Sequence, residues 1–91
     1  MRFSEEKNEL LKSTRNISFE EIMEIILEGN LLDDLKHPDP KKTRQRIYLV
    51  KINRYVYAVP YVINLKNKEI FLKTIYPSRK YTNHYLKGEN S

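Results

Sequence analysis

The sequence holds no cysteine and no tryptophan, two glycines (Gly29 and Gly88) and two histidines (His37 and His84) in 91 residues. Without cysteine there is no disulfide, no thiol nucleophile and no thiolate metal site, and nothing that asks for an oxidising compartment. Two isolated glycines cannot build a phosphate-cradling loop. No His-Glu-x-x-His motif and no ordered Ser/His/Asp set is present, so hydride and acyl-transfer chemistry lack support. Zinc would need two further oxygen ligands gathered from elsewhere in the chain, so no metal or other cofactor is expected. Long apolar runs are missing too. The longest, Val56 to Ile63, contains Pro60 and falls far short of the ~18 residues that span a bilayer. The opening Met1-Arg2-Phe3-Ser4-Glu5-Glu6 leads into no secretory apolar segment. These absences predict a soluble, cytoplasmic protein with no membrane partner, folded as one small domain over residues 1–91.

What is present is charge, unevenly placed. Charged residues make up 32% of the chain and the net charge is +5, but residues 1–40 carry a net −5 and residues 41–91 a net +10. All seven tyrosines also fall in the second part. Cations interleaved with aromatic rings suit RNA, because cations meet phosphates and flat rings stack on unpaired bases. The same composition also describes a two-sided sheet kept soluble by lysines.

Local signals predict the elements. Ser4 caps a first helix carrying Phe3, Leu10 and Leu11 on one face and ending at Asn16. Ser18-Phe19-Glu20-Glu21 forms a capping box, with Ile17 and Ile22 spaced as a hydrophobic staple. A helical stripe of Phe19, Ile22, Met23, Ile26 and Leu27 follows, stopped by Gly29. Glu20, Glu24 and Glu28 line the other face, as solvated charge or as a docking site for a basic partner. Leu31 to Leu35 reads as a short strand, and His37-Pro38-Asp39-Pro40 opens a loop running through Thr43. The period then becomes two, with strands at Arg46–Ile52, Tyr55–Ile63 and Glu69–Tyr76 joined as antiparallel hairpins. Pro60 lacks an amide donor and belongs at a bulge or facing an open edge. Ser78 caps a last short helix through Leu86, stopped by Gly88. The expected architecture is α+β: two N-terminal helices, a three- to four-stranded antiparallel sheet and a short C-terminal helix, with the helices on one face. The other face, left open, would be a place for a partner.

Metal-free RNA cleavage is compatible with this inventory, because the ribose 2′-hydroxyl is itself the nucleophile. The protein must grip the phosphate, move two protons and neutralise charge on phosphorus. Arginine suits the last task, and histidine the proton transfers. Arg79 and Lys80 stand at the first turn of the last helix, where free amides favour an anion. Arg46 opens the first long strand and could face the same site. His37 lies in the proline-bounded loop, and His84 follows Lys80 by four residues on the same helix face. Each has an ordinary alternative: Arg79 solvated or paired with Asp33 or Asp34, Arg46 a sheet-edge charge, His37 a plain loop residue. Tyr81 and Tyr85 are expected to pack on the sheet.

The order of elements and several short motifs resemble the BrnT-type toxins of bacterial type II toxin–antitoxin pairs. Phe3 and Lys7 match the opening Phe-x-Trp-Asp-x-x-Lys pattern. Ile17-Ser18-Phe19-Glu20-Glu21 resembles the Val-Ser-Phe-Glu-Glu helix start, and Arg46-Ile47-Tyr48 the arginine-led first long strand. Ile75-Tyr76-Pro77-Ser78-Arg79-Lys80 resembles the closing Ile-Ile-Ser-Ala-Arg-Lys block. The sequence departs from the pattern at Glu5-Glu6, which replace Trp-Asp, and at Ser13-Thr14-Arg15-Asn16, which replace a Lys-His-Gly segment. The closing block's first arginine falls on Thr74, and Lys73, one step away, points to the opposite face of a strand. The resemblance implies a RelE-like fold and a metal-independent endoribonuclease. Arg79 and Arg46 would hold the phosphate, Lys80 would assist, and His37 or His84 would transfer protons. It also implies a cognate antitoxin with a ribbon-helix-helix DNA-binding part encoded beside it, so that DNA is met only through the antitoxin complex. Two alternatives stay open: a non-catalytic RNA-binding module, and an interaction domain that binds a small protein partner.

Overall fold

The computed structural model describes residues 1–86, so Gly88, the expected stop of the last helix, lies outside the described residues. Among these residues the architecture is α+β, with three helices and one mixed sheet. The elements are β1 (Arg2–Phe3), α1 (Glu5–Arg15), α2 (Phe19–Leu27), β2 (Leu31–Lys36), β3 (Gln45–Ile52), β4 (Tyr55–Ile63), β5 (Ile70–Leu72), β6 (Tyr76–Pro77) and α3 (Arg79–Leu86).

The helix signals act as read. The Ser4 hydroxyl accepts from the Lys7 amide at 3.2 Å, and Asn16 closes α1 in the left-handed region at φ 54°. The Ser18 hydroxyl accepts from the Glu21 amide at 3.2 Å. Gly29, at φ 78°, ends α2 with its own N–H on the Ile26 carbonyl and that of Asn30 on Ile25; both bonds belong to a Schellman motif, which needs a residue free to take positive φ. Two details differ. Phe3 lies in β1 and stacks on Phe19 at 5.0 Å, and Leu10 is exposed. Leu27 is also exposed while Ile25 packs inward; Phe19, Ile22, Met23 and Ile26 of the expected stripe face the core.

The sheet order is β1-β5-β4-β3-β2, with β6 also paired to β4. The long β3–β4 hairpin pairs from Gln45↔Val62 to Ile52↔Tyr55. Its turn is Asn53-Arg54, both at positive φ, the handedness that matches strand twist in two-residue hairpins. The sheet is neither purely antiparallel nor limited to four strands, because Arg2–Phe3 joins β5 in parallel. The expected third strand is broken in two. β5 pairs with Tyr61–Ile63 and β6 with Tyr57–Ala58, and the gap falls opposite Pro60. Pro60 accepts from the Lys73 amide at 2.8 Å but has no N–H to return, so the ladder lapses and the chain bulges over Lys73–Ile75.

The helices cover both faces. On the first face, α1 and α2 bury Leu11, Phe19 and Ile22 against Tyr48, Val50, Val59 and Tyr61. On the second, α3 packs Leu86 over Leu49, Val56 and Ala58, with Tyr81 and Tyr85 alongside. The expectation that all helices share one face is therefore corrected. Ser78 ends on the β4 edge, its amide 2.9 Å from the Val56 carbonyl. Thr82 accepts from the Val56 amide at 2.8 Å and donates to the Ser78 carbonyl at 2.7 Å. These bonds steer α3 under the sheet toward β2.

Candidate nucleic-acid interface

The sheet has two ends. The Asn53-Arg54 turn and α3 mark one. The 37–44 loop, the 64–68 turn and the start of β1 mark the other, called the loop end here.

Arg46 lies toward the loop end on the first face, in register with Tyr61 and Lys36. Its Nε donates to Asp34 Oδ1 at 3.0 Å and to the Tyr61 hydroxyl at 3.1 Å, and an Nη donates to the Asp34 carbonyl at 2.9 Å. Tyr61 donates to the same carboxylate at 2.6 Å and stacks on Tyr48 at 3.9 Å. The hydrogen bonds to Asp34 and Tyr61 raise the guanidinium's pKa, so the group stays charged. Burial pushes the Tyr61 hydroxyl well above the ordinary phenol range, and its bond to the Asp34 carboxylate pushes the same way. Neither tyrosine is suited to act as a base near neutral pH.

Arg79, Lys80 and His84 sit on α3, which packs on the second face. All three are exposed. The Ser78 hydroxyl caps the helix by accepting from the Tyr81 amide at 3.2 Å, and Lys80 Nζ lies 5.4 Å from the Tyr81 ring. Neither Asp33 nor Asp34 is free for Arg79: Asp33 accepts from the Tyr85 hydroxyl at 2.5 Å and Asp34 holds Arg46. Arg79 has no hydrogen-bond or ion-pair partner among the described residues. The expected convergence of Arg46 and Arg79 on one phosphate is therefore corrected. Alternation along β3 puts Arg46 with Tyr48 and Val50 on the first face, whereas α3 lies on the second.

His37 stands at the mouth of the 37–44 loop. Its backbone N–H donates to Gln45 at 3.2 Å, and its Nδ1 accepts from the Asp39 amide at 3.0 Å. That bond occupies the lone pair of Nδ1, so only Nε2 is left for proton traffic. His37 and Arg46 share one end of the sheet; Arg79, Lys80 and His84 form a separate group on α3.

The loop end carries features that the sequence reading missed. A cleft of about 990 Å³ is lined by Arg2, Arg44 and Lys66 together with Leu65, Val62 and Phe71. A smaller hollow of about 140 Å³ beside it gathers Lys41, Lys42 and Arg44. At the cleft's turn, Asn64 Oδ1 accepts from the Lys66 amide and Asn67 Oδ1 from the Glu69 amide, both at 2.9 Å. Each side chain keeps its two N–H donors and one lone pair on Oδ1. Acidic charge is scarce here: Glu69 faces Arg2 at 3.5 Å in an exposed pair, which holds Arg2 weakly. No sequence signal marked Arg2, because a two-residue strand has no readable period; a cationic start that pairs beside Phe71 becomes visible only with the register.

Among the described residues no three His, Asp or Glu side chains gather as a metal-ligand group, and no helix is long and apolar enough to cross a membrane. Comparison of the chain with protein-family models, with curated proteins and with solved structures gives no match in any of the three.

Proposed function

We propose that this chain is the toxin member of a type II toxin–antitoxin pair, with a RelE-like fold, and that RNA is what it acts on. The observation that carries the reading is the separation of charge in three dimensions. The glutamates of α2 are exposed over the first face with no cation on that helix, while those of α1 are balanced by Lys7, Lys12 and Arg15. The cations of the second half ring the loop end and the start of α3, with few carboxylates to neutralise them. A polyanion is drawn to the loop end and to α3, and repelled from the surface that α2 covers.

Cleavage, in this reading, belongs to α3. Arg79 and Lys80 hold and neutralise the phosphate; His84, one turn on, takes the 2′-hydroxyl proton as that oxygen bonds phosphorus, and the departing 5′-oxygen takes a proton from solvent. Arg46 orders the sheet and is not part of that grip. Purified protein is expected to cut RNA in EDTA, and Arg79→Ala to slow cutting at least tenfold. If Arg79→Ala cuts at the parent rate, the α3 assignment is wrong. A second reading, RNA binding without cleavage, is favoured by the separation of Arg46 from Arg79; it predicts salt-dependent binding and no products. The antitoxin partner has its own test: expression should arrest growth, and co-expression of the neighbouring reading frame should relieve the arrest.

A further inference from the structure

Two large rings are exposed on the second face, Phe71 at 42% and Tyr76 at 38%. Their placement follows from register. Phe71 lies between Arg2 on β1 and Val62 on β4, and Tyr76 lies beside Ala58 on β4. Between them the chain bulges opposite Pro60. Thr74 lines a hollow with Leu10 and Leu11 of α1, and Ile75 is buried in the first-face core. Two consecutive side chains thus share the first face, and the exposed Lys73 is turned to the second. Tyr76 and Pro77 lead through Ser78 into Arg79 and Lys80. One stripe therefore reads Arg2, Phe71, Lys73, Tyr76, Arg79, Lys80, cations alternating with rings.

We infer that this stripe binds single-stranded RNA, with Phe71 and Tyr76 as platforms on which two unpaired bases stack and Lys73 beneath the backbone between them. The inference rests on the RNA reading above and adds the class of RNA. The rings face positions four residues apart on β4, about 13 Å at ~3.3 Å per residue. That is several times the ~3.4 Å advance per nucleotide of a duplex strand. A stacked strand covers that span in about four nucleotides, so only a strand whose bases swing out of the column can lay one on each ring. A duplex keeps its base faces inside the stack and cannot offer them to either ring. Charge also favours a nucleic acid over an apolar partner, since four cations flank the rings and the nearby carboxylate, Glu69, is shared with Arg2.

The test is fluorescence anisotropy with a labelled 12-nucleotide oligouridylate, 2′-O-methylated so that it cannot be cut, against a 12-base-pair RNA duplex. The single strand is expected to bind at least tenfold more tightly. Phe71→Leu and Tyr76→Leu should each weaken it about tenfold, with folding of each variant checked by far-UV circular dichroism and urea melts. Lys73→Gln should reduce the slope of log affinity against log salt by about 0.7, the share of one phosphate contact on a single strand, and this readout stands even if a ring variant folds poorly. A duplex bound as tightly as the single strand, or a Phe71→Leu/Tyr76→Leu double variant that binds like the parent, overturns the stacking stripe and leaves the RNA reading intact. A parent protein that ignores both RNAs overturns both, and its binding of a polyglutamate peptide instead would assign the face to a protein partner.

Discussion

Tyr85 and Asp33 meet at 2.5 Å across 52 positions of sequence and tie α3 to β2. The phenol's hydrogen bond, helped by the Asp34 amide, holds the Asp33 carboxyl below the usual carboxylate range. The same bond pushes Tyr85 up to about 12. A carboxyl whose folded pKa is depressed contributes stability that is complete above its unfolded pKa, roughly 4, and is lost as pH falls through the folded value. Tyr85→Phe should therefore melt at a lower temperature than the parent at pH 7, with the gap closing below about pH 4. Thermal melts from pH 3 to pH 8 read this directly; a gap as wide at pH 3 as at pH 7 would mean that Tyr85 acts by packing alone. Asn8 is a residue that sequence reasoning could not single out. It is fully buried, its Oδ1 accepting from the Phe19 amide at 2.8 Å and its Nδ2 donating to Glu20 at 2.7 Å. A polar residue on a mostly polar helix looks solvated until the second helix is placed against it. The same holds for Arg46, whose residue type suited a phosphate. Only the β2–β3 and β3–β4 registers reveal that Asp34 and Tyr61 already occupy it.

At the scale of elements, α3 depends on one buried hydroxyl. Thr82 satisfies the Val56 amide, which faces the side of β4 where β6 ends. Thr82→Val keeps the shape and removes the acceptor, leaving a buried N–H unpaired at a cost of about 1–3 kcal/mol. The expected loss in melting temperature is about 4–8 °C per kcal/mol for a chain of this size, with faster hydrogen exchange at the Val56 amide. Exchange unchanged from the parent would mean that another group takes over as acceptor. The elements were legible where the signal is local. Ser4 and Ser18 cap helices, Gly29 stops one, and Tyr55–Ile63 is a strand over the expected residues. Non-local pairings were not legible. β1 exists only because β5 offers it an edge, and the Glu69–Tyr76 pattern reads as one strand until Pro60 is set opposite its middle. The side of the sheet that α3 takes is a tertiary choice, made by Thr82 and Leu86 rather than by any period in 79–86.

For the whole molecule, the charge split seen along the chain becomes a split in space. Folding crowds Lys41, Lys42, Arg44, Lys66 and Lys68 at the loop end. Like charges brought together oppose the compact state, and salt relieves that repulsion. Raising salt from about 10 to about 200 mM should therefore raise the melting temperature while it weakens RNA binding, two opposite responses in one protein. A melting temperature that falls with salt would mean that the Arg46–Asp34 and Arg2–Glu69 pairs outweigh the crowding.

The break at Pro60 has a consequence for solubility. An open sheet border with rings and aliphatic side chains nearby is a ready template for a second chain. Here β6 is two residues long, and the stretch before it bulges away from β4. An incoming strand would find no straight row of amides and carbonyls to zip onto, so the feature that spaces Phe71 from Tyr76 also guards the protein against fibre growth along that border.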